Sequence, residues 1–138
     1  MHRFTAEAVV KTTVRLIKRQ SLEAVAESDA VVTRNLLSLT TSKLEHAENH
    51  MLLLGRKTSL ERVAAFLIEM DARLTATGVV ALPMSRRDIA DYLGLTLETV
   101  SRALSRLQRE GVLAFIGHNQ REIVLRDRLQ LASFDLPA

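Results

Sequence analysis

From Ser28 to Leu54 the chain contains neither proline nor glycine. A run of this length without a breaker predicts one long helix of about 40 Å at 1.5 Å rise per residue, with Ser28 or Asp29 as its N-cap. Leu37, Leu44 and Met51 recur every seven residues, and Thr40, Ala47 and Leu54 follow at an offset of three. That is an a/d seam, the pattern of a helix that packs against another helix. Val32, Leu36 and Leu39 form a second apolar edge that fits the chain's own domain. The flanking elements are too small to cover such a helix on every side, so residues 28–54 are read as a dimerisation helix. Gly55 stands where a C-cap glycine belongs.

The other segments follow from local texture. Residues 3–18 are rich in Thr and Val, which predicts one or two strands, with a helical turn at 21–26. A pair of strands cannot bury its own faces, so residues 1–27 belong to a larger sheet. Ser59 starts a helix whose stripe of Leu60, Val63, Ala64, Leu67, Ile68 and Leu74 is read as core; Thr77-Gly78 ends it. Val79 to Leu82 is expected to be a strand closed by Pro83.

Ser85-Arg86-Arg87-Asp88 is a capping-box-like start for a helix carrying Ile89, Ala90 and Leu93 inward. Gly94 supplies a left-handed turn residue, and Thr96 caps a second helix with inner residues Val100, Leu104 and Leu107. Short helix, glycine turn and second helix make a helix-turn-helix. Residues 112–116 and 123–125 then read as a hairpin around a polar turn, a wing, and 128–134 as a closing helix. The fold expected is mostly α with a small β component (α+β). A long dimerisation helix (28–54) leads into a winged helix-turn-helix domain (55–138).

Opposite the inner face of the second helix, 96–109, lie Glu98, Ser101, Arg102, Ser105, Arg106 and Arg109. In the major groove Arg donates to guanine O6 and N7, and Glu accepts from cytosine N4. The outward residues toward the N-terminal end of this helix, Glu98, Ser101 and Arg102 among them, are therefore candidates for base contact. Ser85, Arg86, Arg87, Thr96, Thr99, Ser105, Arg106 and the wing's Arg121 are the expected phosphate contacts, with His118 also at the wing tip. The competing reading of Arg102 is a solvated surface arginine or an ion pair with Glu98 at i, i+4, and such a pair is compatible with base reading because it would hold Arg102 in place. Between 82 and 110 there are five Arg and four acidic residues, and the whole chain carries only +3, which suits a reader of specific sequence better than a non-specific binder.

Composition removes other classes. There is no cysteine, so disulfides, thiol nucleophiles and cysteine-held clusters are out. Aromatics are 4% without Trp, too few for a single-strand stacking platform. No apolar run approaches the roughly 20 residues of a membrane span, and no signal peptide is visible, so the expected place is the cytoplasm. His46 and His50 share the i, i+4 spacing of two zinc ligands, but Ala47 holds the place a metalloprotease gives to Glu. They are read as surface or dimer-face histidines, and no cofactor is expected. No acid–base pair, phosphate loop or Ser-His-Asp set is present, so no enzyme is expected.

The run Leu95-Thr96-Leu97-Glu98-Thr99-Val100-Ser101-Arg102 resembles the recognition motif of the CRP/FNR superfamily, closest to its FNR and FixK branch. Residues 84–94 resemble the family's preceding helix, and residues 56–64 the segment after its long helix. The resemblance implies that Glu98 and Arg102 read a G·C pair in each half-site. It makes Ser101 the FNR-type residue where the cAMP-receptor branch has Gly, and that branch has Arg where Leu97 stands. It implies a homodimer joined along the long helix, on a TTGAT-N4-ATCAA-like palindrome with half-sites about 34–36 Å apart. It also implies double-stranded DNA and RNA polymerase as partners. Full members carry an N-terminal β-barrel sensor, of which residues 1–27 would hold only remnant strands. The chain is accordingly expected to be a fragment without a complete effector pocket. The alternatives are a winged helix that binds a protein partner, or a non-functional fragment.

Overall fold

The computed structural model describes residues 5–74, 78–118 and 120–134. Two compact units are distinguished, Lys11–Leu52 and a second that gathers the other described residues.

In the first unit α1 spans Arg19–Ser28 and α2 runs Ala30–Arg56, its last residues already belonging to the second unit. Asp29 is the cap of α2: its Oδ1 accepts from the amides of Val31 at 2.8 Å and Val32 at 3.2 Å. The expected strands in 3–18 are absent among the described residues, which have no regular structure before α1 and are exposed throughout. β-branched propensity is not enough without a neighbouring sheet edge to pair with. The helical turn expected at 21–26 is the centre of α1. Gly55 does not stop α2 but lies inside its last turn, since only a glycine in the left-handed region terminates a helix this way and Gly55 is not in it. Leu37, Leu44 and Met51 project from α2 exposed, as do Thr40 and Ala47, while Leu54 is half-buried.

The second unit is built on α3, Ser59–Leu74. Thr58 and Glu61 cap it reciprocally: the Thr58 amide donates to Glu61 Oε2 (2.7 Å), and the Glu61 amide to Thr58 Oγ1 (3.4 Å). Val63, Ala64 and Leu67 are buried as the periodicity demands, together with Phe66 and Met70. Leu60 and Ile68 are half-buried and Leu74 is exposed. Thr77, read as the break after this helix, lies outside the described residues.

A three-stranded antiparallel sheet follows, in order β1-β3-β2. Its strands are β1 (Val79–Ala81), β2 (Leu113–Ile116) and β3 (Glu122–Leu125). Val80 pairs with Ile123 and Phe115 with Ile123 across the central strand, while Leu113 faces Leu125. The buried face of Val80, Leu113, Ile123 and Leu125 closes on one apolar core with α3, α4 (Arg86–Leu93), α5 (Leu97–Arg109) and Leu131 of α6 (Arg128–Ser133). Among the described residues no polar or charged side chain is buried in it. Each fully buried Leu or Val contributes about 1.5–3 kcal/mol relative to exposure. A two-pronged ion pair from Arg128 to Asp71, at 2.8 and 2.9 Å, fastens α6 to α3.

Arg62 of α3 closes the remaining loose ends. Its Nη2 donates to the carbonyl of Leu54 (2.7 Å), Nε to that of Lys57 (3.0 Å) and Nη1 to that of Leu93 (3.0 Å). Helix C-termini leave carbonyls without intrahelical donors. One guanidinium thus serves the last turn of α2 and the end of α4 together. No described helix is long and apolar enough to cross a membrane.

Candidate nucleic-acid interface

Two caps and one turn aim the site. Ser85 forms a full capping box at α4: its Oγ accepts from the Asp88 amide (3.2 Å), and its own amide donates to Asp88 Oδ2 (2.7 Å). The Ser85 hydroxyl and amide hold the Asp88 carboxyl below its ordinary range, with a smaller contribution from the Arg121 charge. Gly94 adopts φ 59°, a left-handed conformation that costs glycine least, and the chain reverses there into α5. Thr96 then caps α5, its Oγ1 accepting from the Thr99 amide at 3.2 Å and lying 2.9 Å from the Thr99 hydroxyl. Thr96 and Thr99 therefore hold each other at the entrance of the helix.

Burial divides α5 into two faces. Val100, Ala103, Leu104 and Leu107 are buried, and Glu98, Arg102, Ser105, Arg106 and Arg109 are exposed on the other side. Arg102, Arg106 and Arg109 line an open groove with Ser59 and Leu60 of α3. Arg106 is tied to Glu110 (Nε to Oε1, 2.7 Å), a surface pair of little net strength that a phosphate can replace. Arg109 Nε reaches the Ser105 carbonyl at 3.4 Å.

Of the alternatives for Arg102, the ion pair with Glu98 is not found among the described residues. Arg102 Nη2 instead lies 3.5 Å from Thr99 Oγ1. Helical side chains lean toward the N-terminus, so a residue three positions earlier competes with one four positions earlier, and here it wins. Glu98 stays exposed in the first turn, where a carboxylate is favoured by the helix dipole.

Ser101 is half-buried and accepts from Arg86 Nη1 at 3.3 Å. Arg86 also donates through Nη2 to Gln120 Oε1, and its guanidinium carbon sits 5.3 Å from the centre of the Phe115 ring. This expected phosphate ligand is thus engaged inside the chain. Arg87, beside it, is exposed, and so are Arg121 and His118 on the wing. Both Arg86 and Arg87 occupy the first turn of α4, where the helix dipole disfavours cations.

Three residues escaped the sequence. Leu97 is the first residue of α5 and exposed beside Glu98, where an apolar group suits a thymine methyl. Gln120 and Phe115 join the site only through Arg86. An apolar residue directly after a cap was a signal for Leu97; nothing local marked the other two. His46 and His50 lie with ring centres 6.5 Å apart on α2.

A family model for the Crp-like helix-turn-helix domain matches residues 61–134, which run from the third residue of α3 through α6. The chain belongs to the CRP/FNR family. Its relatives are of FixK and FNR type. It is 43% identical over 139 residues to the nitrogen fixation regulation protein FixK of Azorhizobium caulinodans, covering 97% of this chain and 55% of that protein. It is 35% identical to the transcriptional activator protein anr of Pseudomonas aeruginosa, covering 94% of this chain and 53% of the relative. The structure of FixK2 from Bradyrhizobium japonicum superposes with a TM-score of 0.83 at 61% identity, over 88% of this chain and 61% of the other. CooA from Carboxydothermus hydrogenoformans shares the fold at a TM-score of 0.75 and 22% identity. The chain spans about half the length of the curated relatives it matches, and corresponds to their C-terminal part.

Proposed function

We propose that this CRP/FNR-family chain is the sequence-reading part of a transcription regulator, placing α5 in the major groove of duplex DNA. One observation carries the reading. The helix after the glycine turn buries Val100, Ala103, Leu104 and Leu107 in the core and leaves Glu98, Arg102, Ser105, Arg106 and Arg109 exposed on the opposite side.

Glu98 and Arg102 read base edges from the first turns of α5, with Leu97 against a thymine methyl. Ser85, Thr96, Thr99, Ser105, Arg106, Arg87 and the wing's Arg121 set the register on phosphates. The exposed seam of Leu37, Thr40, Leu44, Ala47 and Met51, continued by Leu54, joins two copies along α2 as a homodimer. Two reading heads related by a two-fold axis then call for a palindrome, and the FNR-type Ser101 favours one of TTGAT…ATCAA type. RNA polymerase is the further partner, the cytoplasm the place of action, and no catalysis is involved.

Selection of bound duplexes from a random pool tests the reading. Recovery of a two-fold TTGAT…ATCAA pattern is the expected result. Recovery of duplexes without a shared pattern would sink it.

A further inference from the structure

Arg86 stands at a meeting point that its place in the sequence does not suggest. It starts α4, yet it touches the recognition helix through Ser101, strand β2 through Phe115 and the wing tip through Gln120. Gln120 is the one non-glycine residue with positive φ among the described residues, at 53°. Such backbone is disfavoured for a residue with a Cβ and persists where surrounding contacts over-determine it. Here the contact is with Arg86. A cation in the first turn of α4 is likewise disfavoured by the helix dipole, and the Phe115 ring and the Gln120 carbonyl compensate it.

The consequence falls on Ser101. A guanidinium has donors and no acceptor, so in this bond the serine oxygen accepts. A hydroxyl has a single proton. Helical Thr40 donates its own to the carbonyl four residues back, at 2.8 Å. Ser101 makes no such bond among the described residues, so its proton is not consumed by the helix. With Arg86 held on one of its two lone pairs, the Ser101 oxygen is oriented by the guanidinium and its proton, repelled by that cation, is left for a second partner.

We propose that Arg86 is a positioning residue for base reading, which fixes Ser101 as a hydrogen-bond donor to an acceptor on a base edge and locks the wing to the recognition helix. The acceptors on offer in the major groove are purine N7, guanine O6 and thymine O4. This rests on the DNA reading above, and it assigns Arg86 a task different from neutralising a phosphate.

The test is competition binding of the full chain to palindromic duplexes in which each base pair of the half-site is replaced in turn, repeated at several salt concentrations. Ser101→Ala identifies the base pair that Ser101 reads, by a preference falling about 3- to 10-fold, the value of one net hydrogen bond. Arg86→Lys keeps the charge but lacks the planar fork that reaches two partners at once. It is expected to lose the preference at that same base pair, to leave the salt slope and the preferences assigned to Glu98 and Arg102 in place, and to add nothing to Ser101→Ala in the double variant. Gln120→Ala, which leaves Arg86 intact and disturbs only its tether, is expected to weaken the same preference partially. An Arg86→Lys protein with undiminished preference at the Ser101 base pair overturns the proposal. So does an Arg86→Ala protein that weakens all duplexes equally and lowers the salt slope by about one, the behaviour of a phosphate contact. A wild-type chain that prefers no duplex would overturn the DNA reading itself, and this inference with it.

Discussion

The seam helix α2 and the recognition helix α5 have opposite fates. On α5 the apolar positions vanish into the core, with Val100 and Leu107 both at 0% exposure. On α2 the seam residues Leu37, Leu44 and Met51 stay 66%, 58% and 62% exposed. Apolar groups at helical spacing pay no such solvation cost without a reason, and isolated exposed leucines are common while a seven-residue repeat of them is not. A helix whose apolar side is satisfied within its own chain can devote its polar side to a ligand. A helix whose apolar side is open offers the surface on which the proposed second copy would pack.

The most damaging way to probe that contrast is to charge the open seam. Leu44→Asp is expected to give a monomer by sedimentation and to reduce palindrome affinity by about 10²–10⁴-fold, because the second half-site contact ceases to be intramolecular. A dimeric Leu44→Asp protein would show that the seam faces something other than a second copy. The reciprocal change is Leu107→Ala on the closed side. It is expected to cost about 2–5 kcal/mol of stability, seen as a lower thermal midpoint, while the dimer survives.

Changes on the open polar side of α5 come next in size. Arg102→Ala is expected to cost about 1–3 kcal/mol per half-site and to relax choice at one base pair. Arg87→Ala is expected to weaken specific and random duplexes alike and to lower the salt slope by about one. Measured side by side, the pair separates reading from holding: identical behaviour would place both arginines on phosphates.

The smallest effect lies in the cap of α4. The Asp88 carboxyl is held below its ordinary range by Ser85, so its contribution is present above the unfolded-state value and is lost as pH falls through the folded one. Asp88→Asn should lower the thermal midpoint slightly near neutral pH, and the difference from wild type should close on acidification. A gap that widens at low pH would contradict the capping role.

Where a signal was local and repeated, the sequence was easy to read. The capping box at Ser85, the left-handed Gly94, the Thr96 cap and the inner residues Val100, Leu104 and Leu107 all take the places their spacing predicts. The hairpin and closing helix follow as well. The failures came where the decisive partner is distant. Thr and Val in 3–18 carry strand propensity but find no sheet edge, and Gly55 remains helical while the Arg62 guanidinium serves the Leu54 carbonyl from the next helix. Arg102 turned to Thr99 and not to Glu98, a choice between two neighbours that spacing alone does not decide. Arg86 is the sharpest case: its neighbours in sequence suggest a phosphate ligand, whereas Ser101 and Gln120 lie 15 and 34 residues away.

The central claim is that the exposed side of α5 reads sequence. Its most direct test is equilibrium binding of the chain to a TTGAT…ATCAA duplex and to a duplex of the same composition with both half-sites scrambled, at matched salt near physiological strength. Specific readers separate the two by about 10³-fold or more, and a preference of that order is the predicted result. Equal affinities for both duplexes, falling together as salt rises, would mean that the arginines of α5 only hold DNA, and would contradict the account.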